Sequence, residues 1–188
     1  MKNYKVTSRL WRHSKLLLIL TVLLSALVPA YAQLQPTSIP LTGEAADRLA
    51  IKELIDAYAH DADRREADKQ AALFTPDGIL ENIHTEPGRK KETTMLRGNK
   101  ELAAGFATLK KFEVTMHLNG QSTIQIHGDT ATGESYCLAH HIYTENGQRL
   151  LMVMGIRYYD TIVRVNGNWL FAKRQLNFDW VDRRPLNP

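Results

Sequence analysis

Three turn signals divide the second half of the chain into four long strand-forming runs. His127-Gly128-Asp129, Glu145-Asn146-Gly147 and Asn166-Gly167 are short, polar and glycine-bearing. Turns of this kind join antiparallel neighbours, and Asn-Gly is among the strongest hairpin signals. The runs they separate, about 113–126, 130–144, 149–165 and 168–178, therefore predict an antiparallel meander. Whatever precedes it must pack on the sheet the meander makes.

The preceding residues are mostly helical in pattern. Ile51, Leu54, Ile55 and Tyr58 fall at i, i+3, i+4 and i+7, one apolar stripe of a helix running from about Thr42, a suitable N-cap, to about Asp63. Glu44 and Asp47 in its first turn favour the helix dipole. A short second helix is predicted over Glu66–Phe74, ended by Pro76 and Asp77-Gly78. Strands follow at about 78–85 and 93–97, joined by a charged loop holding Pro87-Gly88. A third helix runs from Gly98-Asn99 to about Leu109, with Leu102, Ala103 and Phe106 on one face. Helices first and a meander afterwards predict an α+β fold, with helices packed on one face of a curved sheet.

Residues 1–32 are read apart from the fold. Lys2, Lys5, Arg9, Arg12 and Lys15 precede an apolar run, Leu16–Val28, and the small-x-small pattern Ala30-Tyr31-Ala32. This is the pattern of a secretory signal peptide cleaved after Ala32. The apolar run is 13 residues, short of the roughly 20 that a spanning helix needs. The leader holds five of the 24 basic residues and none of the 20 acidic ones, leaving 19 against 20 beyond it. The alkaline pI of about 9.2 thus belongs to the leader, and charge makes no case for nucleic acid or for membrane binding after cleavage. Basic pairs such as Arg64-Arg65 read as solvated faces. Residues 33–44, with Pro36 and Pro40, read as a flexible leader, 45–180 as one domain and 181–188 as a C-terminal tail. The tail from Trp180 onward is a candidate cover for a pocket mouth or a neighbouring subunit. The expected location is periplasmic or secreted.

Two segments carry candidate chemistry. Tyr58-Ala-His-Asp-Ala-Asp63 closes the first helix and Thr115-Met-His117 opens the sheet. Together they offer a hydroxyl, a carboxylate and an imidazole, enough for proton abstraction without a cofactor. Tyr58 lies on the inward stripe. Asp61 continues that stripe, and Asp63 does so only where the helix end turns inward. Asn119 and Gln121 alternate with His117 on a regular strand. His140 and His141 are adjacent in a strand, so only one of them faces inward; Arg157 and Arg164, an odd number apart, also face opposite ways. Cys137, the single cysteine, reads as a small buried hydrophobe. The seven histidines form no HxH or HxxxH pair beside carboxylates, and there is no glycine-rich phosphate loop. No metal and no cofactor is expected.

The order of elements resembles the SnoaL-like branch of the nuclear transport factor 2-like superfamily. The resemblance is carried by Ile51…Tyr58…Asp63-Arg64-Arg65, Ala72-Leu73-Phe74-Thr-Pro-Asp77-Gly78, Leu96-Arg97-Gly98, Met116-His117, Gly155-Ile-Arg157-Tyr158-Tyr-Asp160 and Arg164…Gly167-Asn-Trp169…Arg174. It implies a cone-like roll, a curved antiparallel sheet and N-terminal helices enclosing a pocket. Members include scytalone dehydratase, bile acid 7α-dehydratase and hexachlorocyclohexane dehydrochlorinase. Their aspartate–histidine dyad matches Asp63 and His117, and the dehydratases' helix tyrosine matches Tyr58. A further pocket histidine would be His140 or His141. Asn119, Arg157 and Arg164 are the other candidates for substrate contact. The resemblance implies a dehydratase-like lyase or isomerase acting on a small hydrophobic cyclic molecule, and assembly as a dimer or trimer. A non-catalytic binding protein and a ketosteroid-isomerase-like enzyme are the alternatives.

Overall fold

A computed structural model of the chain describes residues 42–85, 88 and 90–186. The signal peptide read at 1–32, and residues 33–41 of the flexible leader, lie outside the described residues. The elements are helix α1 (Glu44–Arg64), helix α2 (Ala67–Ala72), strand β1 (Phe74–His84), strand β2 (Glu92–Arg97), helix α3 (Gly98–Ala107) and a 3-10 turn (Thr108–Lys111). The strands β3 (Val114–His127), β4 (Thr130–Glu145), β5 (Gln148–Val165) and β6 (Asn168–Pro185) complete them.

The strands form one curved sheet in the order β2-β1-β6-β5-β4-β3. The meander β3 to β6 is antiparallel throughout, as the turn signals require. Asn146 and Asn166 both take positive φ, and glycines follow them at 147 and 167, the left-handed pair that a two-residue hairpin turn demands. The β1–β2 hairpin joins at the far side, and β1 runs parallel to β6. That one parallel pair makes the sheet mixed.

Two local expectations are corrected. Phe74 is not in a helix: α2 stops at Ala72, and Phe74 is a core residue of β1, 1% exposed. The Pro76-Asp77-Gly78 signal does not precede the strand but interrupts it. β1 pairs with β6 at Phe74 and again at Ile79, and the residues between bulge out of the ladder. A β-carbon on Gly78 would lie 2.8 Å from the Phe74 β-carbon, so the bulge closes only on glycine. At the other end β6 continues to Pro185, so most of the expected tail is sheet.

Helices α1 and α3 cover one face of the sheet and bury the main core between them. Ile51, Ile55, Leu102, Phe74, Ile162 and Phe171 are at most 2% exposed. Beneath this layer Arg174 of β6 is buried with Asp160 of β5, joined by two hydrogen bonds of 2.9 Å. Its guanidinium carbon lies 4.2–4.4 Å from the rings of Tyr58, Tyr158 and Phe171. A buried charge survives only when paired, and here a carboxylate and three aromatic faces surround it.

Candidate functional site

The site begins where α1 ends. Arg65 takes a left-handed conformation, φ 64°, and stops the helix. Its guanidinium folds back on the carbonyls of Ala62 and Asp63, reaches the carbonyl of Phe112 and donates to the Thr115 hydroxyl. A cation at a helix C-terminus is favourable, and this one also ties the helix to the segment that leads into β3. Arg65 is therefore a half-buried clamp, not the solvated residue expected.

That clamp presents Asp63 to β3. The carboxylate accepts three hydrogen bonds: 2.7 Å from His117 Nδ1, 2.9 Å from the His117 backbone N–H and 2.9 Å from Thr115 Oγ1. Burial alone raises its pKa. The hydrogen bonds from His117 and Thr115 outweigh this and hold it below the ordinary carboxylate value. An ionised carboxylate only accepts, so Nδ1 of His117 carries the donated proton and Nε2 is the basic nitrogen. The His117 side chain is 9% exposed and borders a cavity of about 320 Å³. Asp61, the competing carboxylate, is buried and lies 3.3 Å from His60 Nδ1 instead.

The cavity lies between the curved sheet and the helices. Tyr58 and Ala62, one turn apart on α1, form part of one wall; Met152, Met154, Ile156 and Tyr158 of β5 form another. Tyr58 is 6% exposed and packs edge-on against Phe74, Phe106, Tyr158 and Phe171. Burial pushes its phenol pKa well up, so it stays protonated. His141 lines the cavity next to His117, with ring centroids 5.3 Å apart. It is 5% exposed, and neither ring nitrogen has a hydrogen-bond partner among the described residues. Burial, with help from the Arg65 charge and from His117 when it is protonated, pushes its pKa down to about 3, so it is a neutral ring.

Tyr58, His117 and His141 thus meet at one cavity, with Asp63 behind His117. The other expected contacts lie elsewhere. Asn119 has the same facing as His117, but two residues further along β3 it has passed the cavity; it donates to the Asp56 carboxylate and the Ile55 carbonyl on the flank of α1. His140 points to the opposite sheet face from His141. Arg157 is on that outer face too, 2.6 Å from Asp179. Arg164 faces inward at the far end of β5, where it pairs with Asp47 at 2.7 Å and Asp129 at 3.0 Å and covers the Trp169 ring. Its alternation is as expected, but its place along the strand is not. Thr115 and Arg65 were missed. Thr115 had a signal, standing two residues before His117 on the same strand face. Cys137 is buried, and burial pushes its thiol up to about 11, which leaves it inert. Among the described residues, no group of three or more His, Cys, Asp or Glu side chains is placed to hold a metal ion.

The model of the SnoaL-like domain family matches residues 43–175. An uncharacterized protein of Mycobacterium tuberculosis is 27% identical over 137 residues, 70% of this chain and 84% of its own length. A solved structure from Novosphingobium aromaticivorans, provisionally named a scytalone dehydratase, is 24% identical. It superposes with a TM-score of 0.62 over 77% of this chain and 93% of that one. A hexachlorocyclohexane dehydrochlorinase, LinA type 2, is 20% identical with a TM-score of 0.58, covering 76% of this chain and 90% of that one. At these identities the two structures share the fold.

Proposed function

The chain belongs to the SnoaL-like domain family, and from that premise we propose that it is a cofactor-independent lyase or isomerase of the dehydratase kind. The observation that carries this reading is the 2.7 Å contact between Asp63 and His117 at the wall of the cavity. His117 Nε2 takes a proton from a carbon of the bound substrate. The electron pair of that C–H bond becomes the new double bond, and the bond to the leaving hydroxyl or halide breaks. Asp63 holds the ring and stabilises the imidazolium as it forms. For a hydroxyl, the imidazolium returns its proton to the departing oxygen, so water leaves. Tyr58, whose burial resists ionisation, serves as a hydrogen-bond donor to a carbonyl or to the leaving group. The cavity volume suits one small ring system.

Asp63 is not among the residues lining the cavity. That favours the imidazole as base over a carboxylate base of the ketosteroid-isomerase kind. A panel of cyclic β-hydroxyketones and chlorinated cyclohexanes tests both. Turnover by the native protein that disappears in His117→Ala supports the proposal. Turnover that survives His117→Ala but not Asp63→Asn overturns it in favour of a carboxylate base. Binding across the panel without any turnover identifies a binding protein. We also place the reaction outside the cytoplasm, on the leader pattern of residues 1–32. A mature N-terminus at Gln33 supports that, and a retained leader overturns it.

A further inference from the structure

The sheet register sorts the cavity into rows. One row runs His117, Ala139, Met154, Val181 across β3, β4, β5 and β6; the next runs Thr115, His141, Met152, Arg183. Rows two residues apart on a strand are separated by about 7 Å. The first row holds the basic imidazole. The second ends on the exposed Arg183, and its chemistry is different.

Arg183 borders the cavity, with its Nε 3.4 Å from the Met152 sulfur. Lys111, at the end of the 3-10 turn, borders it as well, with its ammonium 5.0 Å from the centre of the Phe112 ring. That ring packs on His141, centroids 4.3 Å apart. Neither cation has a carboxylate partner among the described residues. Three other sheet arginines are matched by carboxylates: Arg174 by Asp160, Arg164 by Asp47 and Arg157 by Asp179. None of the described residues that line the cavity is acidic. His141 packs on the Phe112 ring and stands two strands from Arg183 in the same row, with its ring nitrogens buried.

We infer that the ligand of this cavity is an amphipathic anion, an apolar ring body bearing a carboxylate that sits at the rim between Lys111 and Arg183. The carboxylate is then a remote handle, about one row from the carbon that His117 addresses, so it orients the ring without opposing proton removal. This deepens the lyase reading by naming its substrate class, and it rests on the same cavity.

The test reads binding, not turnover. 2-Naphthoate, 2-naphthamide and 2-naphthylmethylammonium share one ring body and differ in charge. Affinities are measured by calorimetry on the native domain, Lys111→Gln/Arg183→Gln and His117→Ala. The expected order is acid, amide, ammonium, with the acid about tenfold tighter than the amide, since two rim cations in partly screened surroundings contribute that much. The preference shrinks as salt is raised from low to high, collapses in the double variant and persists in His117→Ala. Lys111 and Arg183 are exposed, so the double variant retains its native melting temperature. Equal affinity for acid and amide, a preference that survives the double variant, or no binding by any of the three overturns the inference. Failure of the lyase reading appears separately, as turnover that is absent or independent of His117.

Discussion

An imidazole that is walled off from water and left without a partner resists protonation, and the whole fold bears the cost. His141 titrates near 6.5 in an unfolded chain and at about 3 in the folded one. Below pH 6.5 the unfolded state binds the extra proton, so stability falls as pH falls from 6.5 toward 3. The loss between pH 8 and pH 5 is about 2 kcal/mol, and it is measurable as a pH-dependent urea midpoint. His141→Phe removes that slope; an unchanged slope would show that another group titrates there. Asp63 acts with the opposite shift and in a lower window. Its folded pKa is depressed, so its contribution is complete above about 3.8 and is lost only as pH falls below that. Its more informative substitution is kinetic. Asp63→Asn removes the orienting charge behind His117 and is expected to cut elimination by about 10²–10⁴-fold, with the affinity for 2-naphthoate unchanged. At this scale helix spacing alone turned Tyr58 inward, whereas periodicity favoured Asp61 over Asp63, and only the family resemblance singled out Asp63 with His117. The sequence did not reveal how far along a strand the cavity extends. Asn119 and Arg164 have the right facing and the wrong reach, and only the packing of α1 against β3 tells them apart.

At the level of elements, β5 and β6 are joined by more than their ladder. Asp160 and Arg174 are direct register partners, and their side chains are almost wholly buried. Removing one partner strands the other charge. Asp160→Asn is expected to cost about 3–5 kcal/mol, read from urea unfolding. Replacing both, as Asp160→Leu with Arg174→Met, is expected to recover at least half of that loss, since an apolar pair leaves no charge unpaired. A double variant no more stable than the single one would mean that the pair's geometry, not its neutrality, holds the strands. The elements themselves were readable where a local signal sets them: three glycine-bearing turns gave the meander, and the apolar stripe gave α1. The β1–β6 pairing was not readable. It joins residues about a hundred apart in parallel, and no turn residue announces a parallel neighbour. The same pairing turned the Pro76-Asp77-Gly78 signal from a strand boundary into a bulge.

For the whole molecule, the curved sheet has one face spent on the cavity and another that is unusually apolar for a solvated surface. Met116 and Leu118 of β3 are more than half exposed, and Tyr136 and Leu138 of β4 and Trp180 of β6 stand exposed on the same side. The Trp180 indole sits over Gly155, where a β-carbon would fall 2.2 Å from its nitrogen, so its seat depends on that glycine. Contiguous apolar surface of this kind marks an association site. We expect two or more copies to meet through it, leaving the cavity rim, on the opposite face, open to ligand. Light scattering after size exclusion should give a mass above that of one chain. Leu118→Lys with Leu138→Lys should return it to one chain with the melting temperature within a few degrees, because exposed substitutions of this kind change stability by about 0.5 kcal/mol. A native protein that is monomeric at tens of micromolar would remove the face from consideration as a subunit contact. Gly155→Ala separates platform from charge: it lifts the indole without adding a charge, and should weaken assembly while leaving Asp63, His117 and the 2-naphthoate affinity as they are.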